Sequence, residues 1–273
     1  MIFPNGFKPK KSLGQSFLIS DKIADRLVNA LEIQSADNVL EIGAGLGILT
    51  TRLCRRARNV YAIEIDKRLV PILQDKTKDF RNIEIINEDI LKLDWQKFGK
   101  LKIIGNIPYN LSTEILLKLL ECINVWDIAV LTAQRELTYK LLALPGKSGY
   151  CATTVLFDFY TERKRLWPIP ASSFRPSPNI TSISVQIKKR PSPLFTDIGF
   201  DIFSEVVRAS FKQPRKTIAN NLSLFLNIEK TRILQLTKLD LNRRAETFST
   251  IEFCQLTKDF MKIIQIFDET YKI

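Results

Sequence analysis

The most specific stretch of this 273-residue chain is Gly105-Asn106-Ile107-Pro108-Tyr109, which follows the apolar run Leu101-Lys-Ile-Ile104. An asparagine side-chain oxygen and the next main-chain carbonyl can both accept from the two N–H groups of one amine. Aimed at an exocyclic amine of a base, they would localise a lone pair that is otherwise delocalised into the ring. They would also stabilise the positive charge that develops as the nitrogen attacks an electrophilic carbon. Pro108 fixes the backbone so that the Ile107 carbonyl points outward. Tyr109 offers a face on which a flipped base can stack, worth ~1–3 kcal/mol. Such chemistry needs no general base, and the chain contains no histidine. Ser-His-Asp and Cys-His catalysis and the HExxH zinc site are thereby excluded.

A second group of residues supplies a candidate cofactor site. Val39-Leu-Glu41-Ile-Gly43-Ala-Gly45-Leu-Gly47 joins a short apolar run to a helical pattern. At that turn glycines let main-chain amides approach a ligand. The dinucleotide fingerprint GxGxxG would place glycine at position 48, where this chain has Ile48. The spacing is GxGxG behind an acid, the pattern associated with S-adenosylmethionine (SAM), and Ile48 disfavours a nicotinamide-dependent oxidoreductase. Glu64, 21 residues past Gly43, is placed to hold a ribose diol, and Asp89 to accept from an adenine amino group.

The charge balance points to a polyanionic partner. Lys and Arg number 41 against 29 Asp and Glu, a net charge of +12, which favours nucleic acid. The basic residues cluster: Lys8, Lys10 and Lys11; Arg52, Arg55, Arg56 and Arg58; Arg208, Lys212, Arg215 and Lys216. Between Tyr160 and Arg190, seven basic residues face Glu162 alone. The cysteines Cys54, Cys122, Cys151 and Cys254 form no CxxC pair, so they read as free thiols of a reducing compartment and not as a zinc or redox site. No apolar run reaches the ~18–20 residues of a membrane span and no signal peptide is evident. A cytoplasmic protein without a membrane partner or a metal is expected.

Positioning these residues requires an ordered set of elements. Asp21–Leu31 is an amphipathic helix with Ser20 as an N-cap candidate. Strands are expected at 38–42, 60–64, 83–87, 101–104 and 127–132, with helices at 48–57, from 67 to about 74, and from Ser112 and Gln134. This alternation implies βαβ units and a mostly parallel, Rossmann-like α/β sheet with helices on both faces. The stretch 149–160 is read as a helix, and 161–167 and 180–187 as two further strands. From Asp197 onward the pattern is helical. The expected domains are 1–190, catalytic, and 191–273, a small all-helical C-terminal domain.

Lys10-Lys-Ser-Leu-Gly-Gln-Ser-Phe-Leu18, Glu41-Ile-Gly-Ala-Gly-Leu-Gly47, Asn106-Ile-Pro-Tyr-Asn-Leu-Ser-Thr113 and Phe174-Arg-Pro-Ser-Pro178 together resemble the ribosomal RNA adenine N6-dimethyltransferases, and within them the small-subunit (16S) branch. Arg215-Lys-Thr217 with Asn220-Asn-Leu222, and Arg244-Ala-Glu246, extend the similarity over nearly the whole chain. The resemblance implies a class I SAM-dependent methyltransferase fold with SAM as methyl donor. It implies as substrate two adjacent adenosines in a hairpin loop near the 3′ end of small-subunit rRNA, within a ribosomal precursor particle. SAM contacts would be Ser16, Leu18, Gly43, Glu64, Asp89 and Asn106; Asn106, Pro108, Tyr109 and Phe174 would serve the transfer, Phe174 as a second aromatic wall. Serine, with a shorter reach, stands at position 16 where the family's motif has asparagine. The alternatives are the antibiotic-resistance type of large-subunit rRNA methyltransferase and an assembly factor whose methylation is incidental. Nothing in the sequence demands more than a monomer.

Overall fold

Short runs of Val, Ile and Leu become strands when both faces of a sheet are covered, and five such runs in this chain do so. They are β2 (Asn38–Ile42), β3 (Asn59–Ile63), β4 (Ile83–Ile86), β5 (Leu101–Asn106) and β6 (Trp126–Gln134). The computed structural model describes residues 7–108, 111–178 and 180–270. The strands β2 to β6 pair in parallel, and β9 (Ser182–Lys189) adds to β6 in antiparallel sense. With β7 (Thr161–Ile169) the seven-stranded order is β4-β3-β2-β5-β6-β9-β7. A separate two-stranded pair joins β1 (Phe17–Leu18) to β8 (Phe174–Arg175).

Helix α1 (Asp21–Ala30) buries Ile23, Ala24, Leu27 and Val28, and the Ser20 hydroxyl accepts from the Ile23 N–H, so the expected cap is present. Helix α2 covers only Thr50–Cys54, shorter than the expected 48–57. The Asn82 side-chain amide explains the early end: it donates to the carbonyls of Cys54 and Ala57, both at 2.9 Å. Helix α3 (Val70–Thr77) starts later than its apolar pattern suggested, with Pro71 in its first turn, where proline lacks no needed N–H. Helices α4 (Ser112–Glu121) and α5 (Arg135–Leu142) follow β5 and β6.

The chain forms two compact units, Met1–Thr138 with Glu162–Lys189, and Tyr139–Thr161 with Arg190–Ile273. The break between Lys189 and Arg190 lies one residue from the expected division at 190/191, and residues 139–161 group in addition with the C-terminal helices. The reason lies in α6 (Ala152–Tyr160), within the helix expected at 149–160, whose Phe159 ring stacks on Phe203 of α7 (Phe200–Phe211) at 4.3 Å. Helices α8 (Ile218–Leu226), α9 (Lys230–Gln235) and α10 (Thr250–Thr270) complete that unit. Phe248 and Phe253 pack at 5.6 Å within it.

In the first unit the core under the sheet gathers α1 residues Leu27 and Val28, Leu53, Val60, Ile104 and Val130, with Leu18 and Phe174 from the small β pair. Among the described residues no helix is long and apolar enough to cross a membrane.

Candidate active site

The sheet order decides where a ligand can sit. From β2 the chain steps outward to β3 and β4, then returns to the other side of β2 for β5 and β6. Where successive connections leave in opposite directions, a crevice opens beyond the carboxyl ends of the two central strands. Here those strands are β2 and β5, and their register sets Ile42 opposite Gly105. The next residues, Gly43 and Asn106, are thereby brought together across 63 positions of sequence. No side chain fits at Gly105, because a Cβ there would lie 2.8 Å from the Ile42 carbonyl oxygen. A cavity opens at this point. It is lined by Leu13–Leu18, Glu41, Gly43–Leu46, Ile48, Leu49, Glu64, Ile65, Asn106, Ile107 and Pro108.

One rim is the glycine loop. The Gly43 and Ala44 N–H groups both donate to the Ile63 carbonyl at 3.0 Å. Gly45 turns with φ +55°, and a Cβ there would meet the Phe17 ring at 3.0 Å, so this turn suits glycine alone. Its N–H donates to Glu64 Oε2 at 2.8 Å, and the Asp66 N–H donates to Glu64 Oε1 at 2.9 Å. Glu64 thus braces the loop while its remaining lone pairs stay available to hydroxyl donors. Burial raises its carboxyl above the ordinary value, against the pull of those main-chain donors.

Behind the loop, Glu41 is 1% exposed and accepts from the Thr50 hydroxyl at 2.6 Å. Burial pushes its carboxyl up to about 8, with the neighbouring Glu64 adding to the effect. Asp66 behaves in the opposite way. The Arg68 guanidinium, with Gln15 assisting, holds the Asp66 carboxyl well below the usual carboxylate range. Gln15 Nε2 donates to Asp66 Oδ2 at 2.8 Å and Gln15 Oε1 accepts from the Lys10 N–H at 2.7 Å. This latch ties the chain before β1 to the rim. The acid two residues after Glu64 could have been flagged from its spacing; its partner Gln15, 51 residues away, could not.

The other rim is Asn106. Its Nδ2 donates to the Ser16 main-chain carbonyl at 2.8 Å. Its Oδ1 is buried and has no hydrogen-bond partner among the described residues. With the NH2 group fixed on a carbonyl, the amide can present only its oxygen on the other side. Leaving a buried acceptor unpaired costs ~1–3 kcal/mol, so an acceptor left open beside a cavity is a candidate contact for a ligand. Thr132, the β6 residue in register with Asn106, also has a buried hydroxyl without a partner among the described residues. The Pro108 carbonyl accepts from Leu111 N–H and Ser112 Oγ.

The expected site residues divide into three groups. Ser16, Leu18, Gly43, Glu64, Asn106 and Pro108 line the cavity together. Tyr109 lies outside the described residues. Asp89 and Phe174 are not among the lining residues. Asp89, three positions past the end of β4, accepts from the Leu91 N–H at 3.0 Å. The ring of Phe174, expected as a second aromatic wall, is 2% exposed and packs in the core with Leu18 and Ile23. Pairing of Phe174 with Leu18 in the β1–β8 ribbon turns that ring inward. The basic cluster at 52–58 is also partly engaged within the fold, since Arg52 pairs with Asp21 and Asp25 at 2.7 Å.

The residues present suit a nucleoside cofactor. The glycine loop, with positive φ at Gly43, Gly45 and Gly47, brings main-chain atoms to the rim, and Glu64 lines the cavity with carboxylate oxygens able to accept from hydroxyl groups. Among the described residues, no group of three or more His, Cys, Asp or Glu side chains could hold a metal ion.

Comparison with known proteins agrees with this geometry. In solved structures, a dimethyladenosine transferase from Plasmodium falciparum superposes with a TM-score of 0.78 at 27% identity, covering 90% of this chain and 98% of the other. The 23S rRNA methyltransferase ErmE superposes with a TM-score of 0.71 at 25% identity, covering 89% and 98%. These neighbours and the mostly parallel sheet give the class I SAM-dependent methyltransferase fold expected from the motifs. The ribosomal RNA small subunit methyltransferase A proteins of Bacillus mycoides (strain KBAB4) and Bacillus anthracis (strain A0248) are each 40% identical over 266 residues. Each match covers 92% of this chain and 91% of the relative. A sequence model described as ribosomal RNA adenine dimethylase matches residues 6–262, and the chain belongs to that family of SAM-dependent enzymes.

Proposed function

We propose that this enzyme dimethylates N6 of two adjacent adenosines in a hairpin loop near the 3′ end of small-subunit rRNA, acting on a precursor particle in the cytoplasm. The small-subunit reading is supported by the 40% identical relatives, whose names specify that subunit. The observation that carries the chemistry is the unpaired Asn106 Oδ1 at the switch point of the sheet.

Bound SAM supplies an electrophilic methyl group. Glu64 holds the ribose hydroxyls with the lone pairs left after bracing Gly45 and Asp66. Gly43 and Leu18 border the cofactor, and Asp89 at the β4 edge accepts from its adenine. Asn106 Oδ1 and the Ile107 carbonyl accept from the target amine and localise its lone pair on nitrogen. As the N–C bond forms, the methyl–sulfur bond of SAM would break to leave S-adenosylhomocysteine, while the same two oxygens stabilise the positive charge on nitrogen until its proton passes to solvent. Pro108 keeps the Ile107 carbonyl turned outward, and Tyr109 stacks on the flipped base. No residue has to remove a proton before attack, in keeping with a chain without histidine. After one methylation a single N–H remains, so one acceptor loses its partner and the second round depends more on geometry.

The test is radiolabelled methyl transfer from SAM to unmethylated small subunits, with large subunits and naked large-subunit rRNA in parallel, followed by nucleoside analysis. The expected result is dimethyladenosine in the small-subunit reaction alone. Label in large-subunit rRNA would make this a resistance-type enzyme, in line with its likeness to ErmE. SAM binding without label in any reaction would favour an assembly factor.

A further inference from the structure

Asn106 has a useful orphan oxygen only because something holds its NH2 group, and that partner is the main-chain carbonyl of Ser16 at 2.8 Å. The carbonyl needs its own support, since residue 16 precedes a strand of two residues, Phe17–Leu18. Two features hold it. The ribbon pairs Phe17 with Arg175 and Leu18 with Phe174, and the Ile19 N–H donates to the Ser173 carbonyl at 2.8 Å. At the other end, where the ribbon stops, the Ser16 hydroxyl donates to the Pro176 carbonyl at 2.9 Å. The hydroxyl proton is directed away from the cavity and onto the segment that follows β8.

We infer that Ser16 is a positioning residue for methyl transfer, its hydroxyl pinning strand β1 to the Pro176 carbonyl and its main-chain carbonyl fixing the Asn106 amide with Oδ1 toward the target amine. This rests on the reading of Asn106 as the acceptor for that amine. It gives Ser16 a different task from the cofactor contact implied by its place in the motif, where the longer asparagine stands in related chains. The short serine side chain reaches the carbonyl of Pro176, 160 positions away in sequence. The hydrogen bonds that brace Glu64 are made by the Gly45 and Asp66 N–H groups and do not include Ser16.

The experiment compares Ser16→Ala and Ser16→Thr with the wild type in single-turnover methylation of unmethylated small subunits at saturating SAM, alongside calorimetric SAM binding. Loss of one neutral hydrogen bond predicts a rate about threefold to tenfold lower for Ser16→Ala. Monomethyladenosine should accumulate, because the second round leans on one acceptor. SAM affinity should stay within about twofold of the wild type, the change expected when no cofactor contact is lost. Ser16→Thr, which keeps the hydroxyl, should restore both rate and product ratio. A SAM affinity that weakens in step with the rate would overturn the inference and make Ser16 a cofactor contact. An unchanged Ser16→Ala rate and product ratio would overturn it as well. If the wild type itself transfers no methyl to adenosine, the reading of Asn106 fails first, and the inference falls with it.

Discussion

The two rims of the cavity are built on opposite principles. The glycine loop is hydrogen-bonded almost entirely within one βαβ stretch: Gly43, Ala44 and Gly45 donate to Ile63 and Glu64, and Asp66 closes the other carboxylate oxygen. The Asn106 rim borrows its order from a residue 90 positions away and keeps one buried acceptor unpaired. A surface that only has to hold a small molecule can be locally complete. A surface that must stabilise charge as it forms has to keep an acceptor free, and the fold must hold that acceptor rigid from outside.

The sharpest way to break this contrast is at Asn106. Asn106→Ala should lower the single-turnover rate by ~10²–10³-fold, the range for removing one preorganised group from a transition state. SAM binding should weaken too, though far less. If turnover on ribosomal substrate were unchanged, the free acceptor would have no part in transfer.

On the other rim, Gly45→Val should do the reverse. A β-branched residue at φ +55° is strained, and its Cβ would sit 3.0 Å from the Phe17 ring. Strain of ~1–3 kcal/mol predicts SAM affinity about tenfold or more weaker, measured by titration, with transfer at saturating SAM largely recovered.

Glu41 tests the buried charge behind the loop. Its carboxyl keeps a proton to about 8 in the folded chain and releases it near 4.5 when unfolded. The folded state therefore binds more protons between those values, so stability is full below about 4.5 and falls as pH rises toward about 8. Glu41→Gln, which cannot ionise, should flatten that fall in urea unfolding followed at pH 5.5 and about 8.5. An unchanged slope would mean another group carries it.

The smallest effect is expected at the latch. Asp66→Ala releases Gln15 and Arg68, which it holds at 2.8 and 2.6 Å. The segment before β1 should then loosen, with SAM dissociating about threefold faster in stopped flow, the cost of one charged hydrogen bond in a partly exposed setting.

Much of this was legible from residue types. Gly43-Ala-Gly-Leu-Gly47, with Glu41 before it and Glu64 beyond, carries its geometry in its own sequence, because positive φ demands glycine and a ribose demands an acid at a strand end. Asn106-Ile-Pro108 was legible for the same reason. The Phe174 ring was not: a core phenylalanine and a stacking wall look alike in sequence, and only pairing with Leu18 turns the ring inward. Helix α6 was recognised as a helix, yet its place with the C-terminal helices depends on Phe159 meeting Phe203, 44 positions on.

The sequence by itself determined which groups could do chemistry: an amide and a carbonyl for an amine, a glycine turn and two acids for a nucleoside, and a basic surface for nucleic acid. It also determined the alternation of strands and helices, since apolar period and turn residues are local properties. Tertiary structure decided that Gly43 and Asn106 meet, because strand order is set by packing over the whole sheet. It decided as well which oxygen of the site stays free. That choice is made by the Ser16 main-chain carbonyl, an atom every residue type possesses, so no side chain could announce it.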